Sequence, residues 1–352
     1  MESSFRKDDV TLLLKDLTGQ LTPLPTEVRE RRIQTGTHYS EMLPLEYQPT
    51  EKYIRTYEAA LDVFGQSTAD AVAEVSERIF RKKGKNVVLV SLARAGTPPG
   101  ILIRRYIRAR YGAECPHYSV SIIRDRGIDR NAVRFLLDRY PAEDLQFVDG
   151  WTGKGVIYRE RRKEISRFPG VSPDLAVLAD PAFLTGLCGT HEDIMIPSSC
   201  LNCTVCGLIS RTVLNAGLIG EEDFHGAVYY GGLKDEDRTY EFIGRVESLF
   251  RIPPEGGGAP EPDRPESGME TVRKIAAAYG VADLNFIKPG IGETTRVLLR
   301  RVPWKILISP RSASARELAH VLQLAGEKGV SVEYAELGNY KCCGLIRQLP
   351  DV

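Results

Sequence analysis

Three cysteines at 200, 203 and 206 form a C-x2-C-x2-C run, and Cys188 and His191 lie a short way upstream. Thiolates and imidazoles are soft ligands, so the group is compatible with zinc or an iron–sulfur cluster. A cysteine with a histidine is also the pair that nucleophilic catalysis needs, the thiolate attacking and the imidazole taking its proton. In that reading Cys200, just ahead of a helix, is the nucleophile, and His191 or His225 is the base. The third use is packing, small apolar thiols on the buried face of a helix over 201–215. The residues leave all three open. Cys342 and Cys343 are adjacent, point to opposite sides of a strand and read as packing residues.

A second set suits anions. Three loops follow strand-like runs: SLARAGTPPG (91–100), RDRGIDR (124–130) and VDGWTGKG (148–155). In the last, Gly150, Gly153 and Gly155 surround Thr152 and Lys154 ahead of a helix. Such glycines let backbone N–H groups approach an anion, and the helix N-terminus adds partial positive charge. Asp149 ends its strand where it would accept hydrogen bonds from sugar hydroxyls. The stretch 180–202 adds Asp180, Thr190, His191, Glu192, Asp193, Ser198, Ser199 and Cys200, and its length suggests a hood over a site.

These loops need a scaffold, and the pattern supplies one. Strands are expected over 85–92, 117–123, 145–149 and 174–180, with helices over 97–111, 131–140 and 154–166. Strand–helix alternation implies a parallel sheet with helices on both faces, whose ligands bind beyond the carboxyl ends of the strands. Residues 252–268 hold five prolines, four glycines and four acids and read as a linker. Beyond it come a helix (292–301), a strand (305–309), a helix (314–326), a strand (331–334) and a final strand near 344–348, a small α/β/α sandwich. The domains are therefore expected at 1–251 and 269–352.

Composition bounds the class. The chain has 352 residues, 42% hydrophobic and 27% charged, which suits two globular domains and excludes a mostly disordered chain. Charges balance at 47 of each sign, but the balance is a cancellation: residues 269–352 carry 12 basic and 8 acidic groups. From 288 to 316 there are seven Lys or Arg against Glu293 alone, which suits a polyanion at that end. No run of 18 apolar residues occurs, the N-terminus is broken by charge, and seven cysteines are odd in number. A reduced, cytoplasmic protein without membrane contact is expected.

With these loops in this order, the large domain resembles the type I phosphoribosyltransferases. The resemblance implies a phosphoribosyltransferase-like sheet, with Arg94, Ala95 and Gly96 on pyrophosphate, Arg124 and Arg126 in a flexible loop, and Asp149, Gly150, Trp151, Thr152, Gly153, Lys154 and Gly155 on the ribose phosphate. Arg94, Arg126 and Asp149 would then be catalytic and Asp180 and Cys200 would face the acceptor. Partners would be phosphoribosyl pyrophosphate and a base-like acceptor, with Mg²⁺ bound through the pyrophosphate, in a homodimer. No resident metal site is implied. More specifically, DVTLLLKDL (9–17), SLARAGTP (91–98), FVDGWTGKG (147–155), IPSSCLN (196–202) and SRTVLN (210–215) resemble the StiP-type proteins of tellurium-resistance and stress gene clusters. Those carry a cysteine-protease label and a C-terminal PELOTA domain.

KPGIGETTR (288–296) resembles the RNA-meeting turn of the L7Ae and pelota families. By that resemblance Lys288, Gly290, Glu293, Thr295, Arg296 and Arg300 contact RNA. The expected function is a phosphoribosyltransferase with an RNA-binding appendage. The alternatives are a cysteine protease using Cys200 and a non-catalytic nucleotide-sensing RNA-binding protein.

Overall fold

The computed structural model describes residues 1–251 and 267–347. Most of the expected linker lies outside the described residues; its last two, Ser267 and Gly268, cap and begin a helix.

The first domain has short strands β1 (Thr11–Leu13) and β2 (Lys15–Asp16), helix α1 (Thr26–Gln34) and a 33-residue helix α2 (Glu51–Lys83). β3 (Val88–Ala93), α3 (Thr97–Tyr111), β4 (His117–Ile123), β5 (Gly127–Ile128) and α4 (Arg130–Leu137) follow. Then come β6 (Leu145–Trp151), α5 (Val156–Ile165), β7 (Leu175–Ala179), β8 (Cys188–Thr190), β9 (Gly226–Ala227) and α6 (Thr239–Glu247). The main sheet runs β1-β4-β3-β6-β7-β8, all parallel, and β5 pairs antiparallel with β4.

Alternation along β3 divides the core. Val88, Val90 and Leu92 pack with Val133 and Leu136 of α4 and Ile165 of α5, whereas Leu89 packs with α2, α3 and α6 on the other face. Gly96, the residue before α3, sits where a Cβ would stand 2.6 Å from Val148 O, so only glycine lets the turn between β3 and α3 close on β6.

α2 lies outside the helices expected from the sequence. It buries Tyr57, Leu61, Phe64, Thr68, Val72, Val75 and Ile79 at spacings of three and four, and stops at Gly84 with φ 65°. Conversely, the helix expected over 201–215 does not form. Only a turn of 3-10 helix, Cys203–Val205, appears; Gly207 and Leu208 adopt positive φ, and Ile209 and Val213 bridge to Tyr229 and Gly226.

The N-terminal segment is tied down by a buried ion pair. Asp9, 3% exposed, accepts from Arg105 Nε (3.0 Å), Arg105 Nη2 (2.7 Å) and Tyr240 Oη (2.7 Å). Burial opposes its charge, but the bonds from Arg105 and Tyr240 prevail and hold its pKa below the ordinary carboxylate value. Asp9→Ala strands part of a buried guanidinium and is expected to cost about 3 kcal/mol in denaturant unfolding. Because the folded pKa is depressed, this stabilisation is present above about pH 4 and is lost as the pH falls through the folded value.

The second domain holds α7 (Gly268–Tyr279), β10 (Ile287–Pro289), α8 (Ile291–Arg300), β11 (Pro303–Ile308), α9 (Ala319–Glu327), β12 (Ser331–Tyr334) and β13 (Cys342–Ile346). Its sheet is mixed, in the order β10-β13-β11-β12. Leu307, Cys343 and Leu345 pack with Val272 and Ile275 of α7. On the other face Ile306, Ile308 and Cys342 join α8 and α9, in one cluster with the first domain's core. The expected α/β/α sandwich is therefore present, and it docks on the first domain through apolar contact.

Candidate active site

β7 and β8 are parallel neighbours, with Val177 opposite Cys188 and Ala179 opposite Thr190. Their carboxyl ends therefore lie side by side. Asp180 follows β7 and His191 follows β8, and Asp180 N bonds Thr190 O at 2.8 Å. The chain turns just after Thr190, which swings His191 back over its own strand. Its Nε2 stands 3.4 Å from Cys188 Sγ. Its Nδ1 stands 3.0 Å from Asp180 O and 3.5 Å from Asp180 Oδ2. Phe183 stacks on the imidazole with centroids 4.2 Å apart and the planes at 7°.

The carboxylate of Asp180 is fully buried and thoroughly bonded. Oδ2 accepts from Leu184 N (2.7 Å) and Thr185 N (2.9 Å), and Oδ1 accepts from Thr152 Oγ1. Burial raises its pKa, and these bonds oppose the rise. A carbonyl oxygen only accepts, so Asp180 O requires the hydrogen of His191 to sit on Nδ1. In the neutral ring Nε2 then carries the lone pair, facing the Cys188 thiol. Cysteine, imidazole and carboxylate thus stand in the order that an activated nucleophile needs. The same three donor atoms lie within 4.8 Å of one another, which also suits a soft cation.

The other sequence-expected residues fall elsewhere. Cys200 is fully buried, and burial pushes its thiol up to about 12; its carbonyl accepts from Arg300 Nη2 at 2.6 Å. The other candidate base, His225, bonds Ser121 Oγ through Nδ1 at 2.8 Å. Cys203 and Cys206 are buried, with thiols raised to about 12 and about 11. Among the described residues, which include all seven cysteines, there is no disulfide.

The anion loops are taken up by the protein itself. Arg94 pairs with Glu46 (3.0 Å) and donates to Ile209 O (3.0 Å). Arg126 pairs with Glu41 (3.0 Å), and Arg124 pairs with Asp125 (3.2 Å) and lies over the ring of Tyr39. Asp149 is pushed up to about 7 by burial and bonds Gly150 N at 2.8 Å. The Lys154 ammonium donates to the backbone carbonyl of Leu284, and burial, with Lys288 near, draws it down to about 8. Tyr340 Oη donates to Gly153 O at 2.9 Å, so the second domain closes the 152–155 loop. Trp151, beside it, bonds Glu293. Gly155 has φ 84° ahead of α5, and Gly150 and Ala95 approach each other across the loops.

Several of the expected RNA-facing residues are engaged within the protein. Gly290 and Thr295 are buried, Thr295 Oγ1 donating to Ile291 O at 2.8 Å, and Lys288 is half-buried. Arg296 pairs with Glu293 at 3.1 Å, and Arg300 reaches across to the first domain.

The structure is thus a parallel α/β domain with a thiol, an imidazole and a carboxylate gathered around β7 and β8, joined to a small sandwich. Residues 3–247 match the family described as tellurite-like stress resistance cysteine protease StiP, and residues 266–348 match the PELOTA RNA binding domain. A relative from Acinetobacter baylyi named cysteine protease StiP is 34% identical, over 98% of this chain and 94% of its own. The chain belongs to the StiP family.

These findings overturn the expected transferase function. The family and the relative are named as proteases, and phosphoribosyl pyrophosphate and a base-like acceptor have no support among the comparisons. Magnesium was expected only through the pyrophosphate. The protease alternative fits better. Among the described residues no helix is long and apolar enough to cross a membrane.

Proposed function

We propose that the first domain is a cysteine peptidase in which Cys188 is the nucleophile, His191 the base and Asp180 the group that orients it. The observation that carries this reading is the 3.4 Å approach of Cys188 Sγ to His191 Nε2, with Nδ1 tied to Asp180. His191 takes the thiol proton as sulfur attacks the peptide carbonyl. The resulting imidazolium, beside the Asp180 carboxylate, gives that proton to the departing amine. Water, deprotonated by the same imidazole, then hydrolyses the thioester and restores the thiol. Cys188 is 1% exposed and the His191 side chain 15%, so of the pair the imidazole is the more accessible, with Phe183 covering one of its ring faces. Cleavage of casein by the full chain, lost in Cys188→Ala and kept in Cys200→Ala, tests the assignment.

Zinc tests the use of the three atoms. A cation bound there would occupy the thiolate and the imidazole lone pair that hydrolysis needs. Added zinc is expected to inhibit cleavage and a chelator to restore it; activity that instead requires zinc would make the cluster a metal centre.

RNA binding by the second domain is part of the same proposal, supported by the family description and by 12 basic against 8 acidic residues in 269–352. Filter binding of a single-stranded RNA is expected to weaken steeply with salt, as phosphate contacts require. A flat salt response would remove this part.

A further inference from the structure

The loop carrying His191 is held from outside its own domain. Asn339 lies in the turn between β12 and β13, and its Nδ2 donates to His191 O at 2.7 Å and to Pro181 O at 3.2 Å. One amide therefore ties the backbone at the base to the backbone just after the triad's acid. The turn that presents it needs glycine: Gly338 has φ 57°, and a Cβ there would stand 2.6 Å from Thr271 Oγ1.

Neighbouring contacts keep the two surfaces together. Buried Asp193, two residues beyond His191, accepts from Lys341 N at 2.8 Å and from Ile291 N, at the start of α8, at 3.0 Å. Gly268 N donates to Ala182 O at 3.2 Å. Ile291 and Leu298 share one apolar cluster with Met195 and Ile196. All of these contacts cross from the second domain to 181–196, the segment in which His191 sits.

Resting on the reading of Cys188, His191 and Asp180 as a triad, we propose that the second domain completes the active site, with Asn339 the positioning residue that fixes His191 against Cys188. A sulfur–nitrogen distance of 3.4 Å leaves little slack. Without the Asn339 amide, the carbonyls of Pro181 and His191 lose their common donor and the turn after β8 is free to drift. A displacement of about 1 Å costs on the order of 10²-fold in a geometry-dependent step. The titratable and charged groups that face this loop are Asp180 and Cys188 from the first domain and, from the second, Lys341, which pairs with Glu317 at 3.1 Å and with Glu192 across the seam at 3.9 Å. Asn339 changes none of their charges, so its effect is positional.

The test compares full-length wild type, Asn339→Ala and Tyr340→Phe. Tyr340→Phe removes another interdomain hydrogen bond, to Gly153 O, that does not touch the His191 loop. Iodoacetate alkylation of Cys188 is followed against pH by mass spectrometry, together with hydrogen exchange over residues 188–195. Asn339→Ala is expected to slow alkylation roughly tenfold or more below about pH 7, where only a well-placed imidazole supplies thiolate, and to converge with wild type at alkaline pH. It should also speed exchange in 188–195, while Tyr340→Phe follows wild type in both. An Asn339→Ala protein like wild type in both readouts overturns the proposal, and so does an equal shift in Tyr340→Phe, which would mean docking in general. Faster exchange and slower alkylation specific to Asn339→Ala, in a chain that cleaves no peptide, would remove the peptidase reading and leave the clamp standing.

Discussion

Cys188→Ala is expected to abolish peptide cleavage, lowering kcat/KM on the order of 10⁴-fold or more, as loss of a covalent nucleophile does in triad hydrolases. Its effect on folding should be small. The thiol is buried on β8 within the cluster of Val177 and Leu175, and removing one sulfur there costs about 1 kcal/mol. The contrast is Cys200→Ala, which removes a sulfur that burial keeps protonated and whose backbone carbonyl, unaffected by the substitution, still holds Arg300. That variant should retain cleavage within a few-fold. Thermal melts of both proteins separate a lost nucleophile from a lost fold.

Asp180→Asn is expected to act on activity and stability together. The two carboxylate oxygens accept from Leu184 N, Thr185 N and Thr152 Oγ1. An amide keeps one acceptor oxygen, so its NH2 must face either the two backbone N–H groups or the hydroxyl. An unmatched buried donor costs about 1–3 kcal/mol, read as a lower denaturation midpoint. Cleavage should fall by roughly 10²–10⁴-fold, because the imidazolium formed during attack loses its neighbouring negative charge. The fall should be smaller than for Cys188→Ala, since the Asp180 backbone carbonyl still holds Nδ1. An Asp180→Asn protein with normal cleavage would leave the carboxylate a purely structural role.

Much of the scaffold is legible from local pattern, because β-branched runs and amphipathic turns are local. The expected spans 97–111, 117–123 and 331–334 coincide with α3, β4 and β12. The helix expected over 201–215 fails because apolar spacing of three arises equally in irregular buried chain, where Gly207 and Leu208 take positive φ. Regular apolar spacing runs through α2, whose links to α9 of the other domain are the Lys52–Glu327 ion pair and the edge contact of Phe64 with His320.

The site was legible in its parts and not in its pairing. Asp180, Cys188 and His191 all stand out by type, but spacing sets His191 with Cys200 as well as with Cys188, and the resemblance puts Asp180 at an acceptor. A three-residue spacing says helix face in one context and strand end plus turn in another, and only the parallel pairing of β7 with β8 brings the three together. The resemblance puts Thr152 at a phosphate, yet its hydroxyl donates to the Asp180 carboxylate. What hid the rest is docking: Lys154, Gly153 and Asp193 meet partners from 284 to 341, at separations that no local pattern records.

If Cys188 is the nucleophile, alkylating it must stop cleavage. The native full chain is treated with limiting iodoacetamide, the labelled cysteine is located by peptide mass spectrometry, and casein cleavage is assayed on the same samples. Label on Cys188 rising in step with the loss of cleavage is the expected result. Cleavage that persists with Cys188 fully labelled, or that is lost with the label on another cysteine, would contradict it.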